Sequence, residues 1–258
     1  MRLTLLGTGT SAGVPQLGCH CPVCSSVDPK DRRSRTAALL ELPERTVLID
    51  TPPELRLQLL AAGATRIDAV LYTHEHADHV HGIDDLRMFS LQRAAGLPLY
   101  GSAATLAFLR NSYPYIFAEA PSYPGTSKPH LALHLLEPGR LVEIAGVSVL
   151  PLAFDHGDRS VLGFRIGRLA YVTDAKRVTA EAVALLRGVE LLVLNALWWR
   201  PHPTHLSIPE AIEAARAIGA RRTVLTHLTH ETGHAELAAR LPPGIEPGYD
   251  GQTLEVPG

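Results

Sequence analysis

Thr73-His74-Glu75-His76-Ala77-Asp78-His79 is the stretch on which the reading of this chain turns. It directly follows an apolar run, Ala69-Val70-Leu71-Tyr72, that reads as a buried strand. Four side chains of metal-ligand type, His74, His76, Asp78 and His79, fall within six residues at the end of that strand. A chain turning off a strand can aim all of them into one small volume. Imidazole nitrogens with carboxylate oxygens suit zinc, manganese or iron. The alternative is a polar loop rich in histidine by chance, but the spacing is far more specific than any lone histidine.

Outward from this stretch, strand-like runs recur at Leu3–Leu6, Ala37–Leu42, Thr46–Ile49, Leu131–Leu136, Val147–Leu150, Leu162–Ile166, Leu169–Val172, Leu191–Leu194 and Thr223–Leu225. Several are continuous apolar runs, as strands covered on both faces should be. Helical stretches are expected at Glu54–Ala62 behind Pro52-Pro53, at Asp84–Ala94, Ala103–Arg110, Thr179–Leu186 and Ile208–Ile218. Early strands come in hairpin order and helices intersperse the later ones. This predicts a layered α/β sandwich with sheets inside and helices outside, built as a single domain over residues 1–258. No internal repeat or low-complexity linker is visible. The segment Asn111–His130 is rich in proline and aromatics, Tyr113, Tyr115, Phe117 and Tyr123 among them, and reads as a surface lid or as packing under a loop.

Of the 258 residues, 46% are apolar, enough for a sizeable core, and the formal net charge is −2. That charge argues against a nucleic-acid-binding surface. Met1–Gly7 reads as a short strand rather than a signal peptide, and no apolar run approaches the ~20 residues of a membrane-spanning helix. A cytoplasmic protein is the expectation. Lys30, Arg32, Arg33 and Arg35 form a basic cluster, read as a solvated charge run or as a phosphate contact. The three cysteines form one Cys-x-Cys-x2-Cys run, Cys19, Cys21 and Cys24. An odd, clustered set points to a metal site rather than a disulfide framework, with three reduced, unligated thiols as the alternative.

His-x-His-x-Asp-His after a strand resembles the signature of the metallo-β-lactamase superfamily, and further landmarks follow in order. Asp50 ends the run Thr46–Ile49, His156 follows Pro151–Asp155, Asp174 follows Leu169–Thr173, and His227 follows Val224–Thr226. The resemblance implies a four-layer αββα sandwich and a metal-dependent hydrolase with two divalent cations, zinc or manganese. It implies that His74, His76 and His156 hold one cation, that Asp78, His79 and His227 hold the other, that Asp174 bridges them, and that Asp50 orients a ligand from behind. Two cations about 3.5–4 Å apart can share a hydroxide and clamp an in-line displacement. His81 falls outside the family pattern and reads as structural or as a support behind a ligand. If His227 serves this site, His230 can face elsewhere and complete a Cys3His structural zinc with Cys19, Cys21 and Cys24; His20 is the rival fourth ligand.

The opening Leu5-Leu6-Gly7-Thr8-Gly9-Thr10-Ser11-Ala12-Gly13-Val14-Pro15 is similar to a branch that contains RNase Z and the phosphoribosyl 1,2-cyclic phosphate phosphodiesterase of phosphonate degradation. The cysteine run, the pair His227 and His230, and Pro203-Thr204-His205-Leu206 match the phosphodiesterase better. That resemblance makes His205 the candidate proton donor to a leaving oxygen, working with Asp78 as the catalytic pair; a surface residue at a helix start is the other reading. Trp198-Trp199-Arg200 and the aromatic segment depart from the phosphodiesterase. The expected activity is hydrolysis of a small, cyclic phosphodiester. An RNase Z-like nuclease is the alternative, although no basic, Gly-rich arm is visible. A non-hydrolytic relative like pyrroloquinoline-quinone biosynthesis protein B is another, although its ligand set is incomplete. The expected partner is a small phosphodiester, with neither membrane nor nucleic acid, and a homodimer is left open.

Overall fold

The apolar runs pair into two seven-stranded sheets that pack face to face. The structure is a computed structural model and describes residues 1–91, 93–118 and 127–256. In chain order the strands are β1 (Arg2–Gly7), β2 (Ala37–Leu42), β3 (Arg45–Ile49), β4 (Ala69–Leu71), β5 (Leu97–Gly101), β6 (Leu131–Leu135), β7 (Val142–Ile144), β8 (Val147–His156), β9 (Arg159–Ile166), β10 (Leu169–Val172), β11 (Leu191–Asn195), β12 (Arg222–Thr226), β13 (Ile245–Pro247) and β14 (Thr253–Glu255). The helices are α1 (Leu55–Ala61), α2 (Ala77–Val80), α3 (Arg87–Ser90), α4 (Ala103–Ser112), α5 (Pro114–Phe117), α6 (Ala180–Leu186), α7 (Ile208–Ile218) and α8 (His234–Arg240).

One sheet runs β14-β1-β2-β3-β4-β5-β6 and the other β13-β12-β11-β10-β9-β8-β7. From β14 to β3 the pairings are antiparallel and from β3 to β6 parallel. From β7 to β10 they are antiparallel and from β10 to β13 parallel. The two sheets thus repeat one topology that no sequence repeat reveals.

Neighbouring strand residues point to opposite faces, which explains the continuous apolar runs. Ile49, Leu71 and Val193 face the apolar layer between the sheets, with Leu3, Phe164 and Val224. Their chain neighbours Leu48 and Val70 face α1 and α4 through Leu55, Leu59 and Leu109. Leu192 and Leu194 face α6, α7 and α8 through Leu186, Ala211 and Leu237. Three apolar interfaces between four layers make the αββα sandwich. Helix α7 starts on a capping box, Ser207 with Glu210, and ends at Gly219 with φ of 75°.

The sequence reading differs from the structure in several short elements. The expected helix Asp84–Ala94 is a 3-10 turn, Ile83–Leu86, followed by one turn of α3. Ile83 and Leu86 are both buried three residues apart, the spacing at which a 3-10 turn stacks its side chains. In the segment Asn111–His130, α4 runs to Ser112 and α5 buries Ile116, with Tyr113 and Phe117 against the same core, so this part packs. Tyr123 and the rest of 119–126 lie outside the described residues. The basic cluster divides: Lys30 and Arg32 are exposed, as in a solvated run, whereas Arg33 and Arg35 are engaged by the protein. Arg33 is 1% exposed and donates to the carbonyls of Thr229 and of Thr232 (3.1 Å). Arg35 donates to Ser11 O at 3.0 Å and pairs with Glu54. Both tie the N-terminal loop to the site described next. Among the described residues no helix is long and apolar enough to cross a membrane.

Candidate metal centre

The site lies where strands end. Asp50 follows β3, Asp174 follows β10 by two residues, and His227 follows β12. All three adopt left-handed backbone, φ 63°, 59° and 58°, and among the described non-glycine residues only Ala145 joins them. Such conformations cost energy for a residue with a Cβ and persist where the surroundings enforce them, commonly at functional sites. Asp50 and Asp174 also hold equivalent places in the two sheets, each just past the strand at which antiparallel pairing gives way to parallel. Asn195, buried at the end of β11, accepts from Ala175 N at 2.9 Å and donates to Ala175 O at 3.0 Å, which fixes the turn that carries Asp174.

The ligand-type atoms fall into overlapping groups, each within 4.8 Å: His74, His76 and His156; His74, His79 and Asp174; Asp78, His79 and His227; and His156, Asp174 and His205. A tetrahedral cation with bonds of about 2.0–2.1 Å keeps nitrogen and oxygen ligands about 3.3 Å apart. His74 Nε2 lies 3.0 Å from His76 Nδ1, and His79 Nε2 lies 3.4 Å from both Asp78 Oδ2 and Asp174 Oδ2. His227 Nε2 lies 3.1 Å from Asp174 Oδ1 and 3.8 Å from Asp78 Oδ2. His79 Nε2 and His227 Nε2 are buried without a hydrogen-bond partner, so each has a lone pair or proton that only a cation or a better-placed acceptor can satisfy. The donor set therefore fits two divalent cations, with Asp174 common to both halves.

Outer partners hold His79 and His156 by their other nitrogens, whereas His227 Nδ1 is buried without one among the described residues. Asp50, fully buried, accepts from Thr73 N (2.8 Å), Thr73 Oγ1 (2.8 Å) and His79 Nδ1 (2.7 Å). His156 donates from Nδ1 to Thr204 O at 3.0 Å. Thr73, Thr204 and Asn195 have no signature of their own in the sequence; Thr73 stands inside the motif, and only its position beside His74 hints at a role. His81 caps α2 and packs edge-on to Tyr113, apart from these groups.

Charge balance in the cage is uneven. Burial works against charged imidazoles, yet the carboxylates of Asp174, Asp50 and Asp78 raise His79 well above its ordinary value. His227 is raised to about 9 against burial, chiefly by Asp174. Protons on these rings stand where cations would, and a cation would displace them. Burial, seconded by the charge of His79, drives His74 far down, so it is a neutral ligand. His205 Nε2 lies 2.9 Å from Asp174 Oδ1, and burial, only partly opposed by that bond, lowers it to about 4. His205 therefore sits within reach of the cage rather than apart from it.

On the far side of His227, the sulfurs of Cys19, Cys21 and Cys24 surround His230 Nδ1 at 3.3, 3.3 and 3.5 Å. Bonds of about 2.3 Å to sulfur and 2.0–2.1 Å to nitrogen set a tetrahedral S–N edge of about 3.5 Å. His20 is exposed and outside the group. The Cys24 N–H at 3.4 Å helps bring the Cys21 thiol down to about 6, while burial pushes Cys24 up to about 11. A cation would draw the proton from Cys24 and hold all three sulfurs as thiolates, and the set fits one zinc.

A cleft of about 280 Å³ opens onto the cage between Ser11, His76, His156, Arg159 and His205. Arg159 was not expected from the sequence. A second hollow of about 260 Å³ shares Ser11, His205 and His227 with it and extends to Trp198 and His202.

Two facing sheets with a histidine–aspartate cage at their strand ends define a metal-binding hydrolase of the metallo-β-lactamase fold. Residues 45–228 match the Beta-lactamase superfamily domain, and the chain belongs to that family. Within it the chain is related to the PhnP and RNase Z-like branch. A crystal structure of a diphosphatase from the PhnP family superimposes with a TM-score of 0.91 at 38% identity, over 99% of this chain and 98% of that one. An octanoyltransferase of Porphyromonas gingivalis is 43% identical over 254 residues, 97% of this chain and 51% of that protein, so the chain spans about half its length. Zinc-bound PqqB from Methylobacterium extorquens shares the fold, with a TM-score of 0.82 at 20% identity over 99% and 100% of the two chains.

Proposed function

We propose that this protein is a metal-dependent phosphodiesterase acting on a small, cyclic or linear phosphodiester such as phosphoribosyl 1,2-cyclic phosphate. The observation that carries the reading is Asp174, shared by both halves of the ligand cage and in contact with His205 at the wall of a small cleft. His74, His76 and His156 would hold one divalent cation, zinc or manganese, and Asp78, His79 and His227 the other. Bound there, the pair would supply a nucleophilic oxygen at neutral pH and neutralise charge on the phosphoryl group.

The chain's own residues do the rest. Asp50, Thr73 and Thr204 hold the ligand rings in orientation. Since a carboxylate only accepts, His205 carries its proton on Nε2 in this arrangement. That N–H is the donor available to a leaving oxygen. A proton given at Nε2 would have to be replaced at Nδ1 by one taken from solvent and passed on by Thr204 Oγ1 (2.8 Å), which regains its own, or by His202 Nδ1 (3.3 Å). His205 thus starts neutral and relays a proton, which agrees with its lowered value.

The size of the cleft and the net charge of −2 favour a small substrate over RNA. A second reading, hydrolysis of a diphosphate bond, is favoured by the diphosphatase relative at 38% identity; it uses the same attack at phosphorus. The name octanoyltransferase belongs to a protein about twice as long, of which this chain matches about half. The test is a parallel screen of purified, metal-loaded protein on cyclic phosphodiesters, linear phosphodiesters, nucleoside diphosphates, a β-lactam and a thioester. Phosphodiester turnover should dominate. Strong β-lactam or thioester hydrolysis without phosphodiester turnover would overturn the proposal.

A further inference from the structure

Among the residues lining the catalytic cleft, Arg159 is the single lysine or arginine. It opens β9, directly across the β8–β9 hairpin from His156. Residues opposed in this way project from the same face, so the guanidinium rises beside a candidate metal ligand. Its place is set by Glu75, the residue between His74 and His76. Glu75 Oε1 accepts from Arg159 Nη1 at 2.9 Å, and its Oε2 accepts from the hydroxyl of fully buried Thr105 at 3.2 Å. The Glu75 side chain is 13% exposed, whereas that of Arg159 is 52% exposed. Among the described residues Nη1 is the only Arg159 side-chain nitrogen with a hydrogen-bond partner; Asp158 lies 4.0 Å from Nε, beyond hydrogen-bond distance. Nε and Nη2 therefore present an open fork of donors over the cleft. A partly buried carboxylate holding one corner of an exposed guanidinium reduces the freedom that binding would otherwise remove.

The reacting phosphodiester carries one negative charge, which the cage is built to cover. The free fork of Arg159 is surplus to that task. We infer that Arg159 selects substrates by charge: docked on Glu75, it takes a second phosphate or carboxylate group of the substrate, remote from the reacting phosphorus. Glu75 is its positioning residue. The inference rests on the phosphodiesterase reading and adds to it the residue that reads the substrate's second charge.

A matched pair of substrates tests it: thymidine 5′-(4-nitrophenyl phosphate) and the same ester carrying a 3′-phosphate. Leaving group and reacting phosphorus are identical, so the ratio of their kcat/KM values isolates the second charge. Wild-type protein should prefer the 3′-phosphorylated ester. A charge-assisted contact of this kind corresponds to about 10- to 100-fold. Arg159→Ala should shrink the ratio by about that factor, mainly through KM, and Arg159→Lys should keep part of it. Glu75→Gln should raise KM for the charged ester more than for the other and leave an intermediate ratio. Added salt should erode the wild-type preference. An unchanged ratio in Arg159→Ala, or equal losses on both esters, would overturn the inference while leaving the phosphodiesterase reading intact. No turnover of either ester by metal-loaded wild type would overturn that reading and this one with it.

Discussion

Replacing Asp50 by Asn keeps the volume of a fully buried side chain and changes its charge and its hydrogen bonding. Asp50 Oδ1 accepts from Thr73 N, and Oδ2 accepts from Thr73 Oγ1 and His79 Nδ1. An amide can accept on one side only. If its NH2 takes the Oδ1 place, it meets the backbone N–H of Thr73. If it takes the Oδ2 place, the Thr73 hydroxyl can turn to accept, but His79 must give up the proton on Nδ1. His79 then carries its proton on Nε2, the atom that faces Asp78 and Asp174 at 3.4 Å and that would ligate a cation. The second arrangement leaves every group satisfied and closes the metal site. Losing a charge-assisted buried bond costs about 1.5–3 kcal/mol, and removing an outer partner of a metal ligand costs about 10–100-fold in metal affinity. Asp50→Asn should therefore show both a loss of stability on that scale and a loss of metal affinity on that scale. Urea unfolding gives the first. Competition against a chromophoric chelator, with elemental analysis, gives the second. An Asp50→Asn variant that binds its metals as tightly as wild type would refute the role assigned to the Asp50–His79 bond.

Other substitutions separate the remaining parts. His205→Ala should slow an alkyl or sugar phosphodiester by about 10²–10⁴-fold and a nitrophenyl ester much less, because only the poor leaving group needs the proton; loss of metal in this variant would make His205 a ligand through its contact with Asp174. Cys21→Ser should remove one zinc per chain and lower thermal stability, with two metals retained elsewhere; metal analysis still giving three would refute the Cys3His site. Asp68 supplies a pH test away from the metals. Burial would raise it, but Arg66, Arg93 and Thr46 N outweigh burial and lower it. Its contribution is therefore present above the ordinary carboxylate value and lost as pH falls through the lowered folded one. The stability gap between wild type and Asp68→Asn, about 1–3 kcal/mol, should stay constant from neutral pH down to about 5 and close only below ~4. A gap that closes already near neutrality would contradict it.

Much of this was legible in the sequence because it rests on patterns with a physical period or spacing. Leu48-Ile49, Val70-Leu71 and Leu192-Val193 are apolar on both faces of a strand, and the structure packs each pair into different layers. The capped α7 was readable from Ser207 and Gly219. The ligand-type residues were readable as strand-end histidines and aspartates in a set order, and the structure brings them within ligating distance of one another. What escaped has no local signal. The repeated topology of the two sheets lies in pairing, not in residues. Asn195 works through the backbone of a turn twenty residues away in sequence, and Glu75 through a hairpin arginine far along the chain. The helix expected over Asp84–Ala94 failed because buried Ile83 and Leu86 favour a tighter turn than the apolar pattern suggested. Arg33 looked like surface charge because nothing in a sequence announces that two carbonyls wait for it.

The most direct test of the central claim is a metal titration of activity. Protein stripped by a chelator, its Cys3His site refilled with one equivalent of zinc, should show no turnover of bis(4-nitrophenyl) phosphate. Turnover should then rise with added zinc or manganese and level off at two further equivalents per chain. Full turnover by the stripped protein, or a protein that takes up the metal and hydrolyses no phosphodiester, would contradict it.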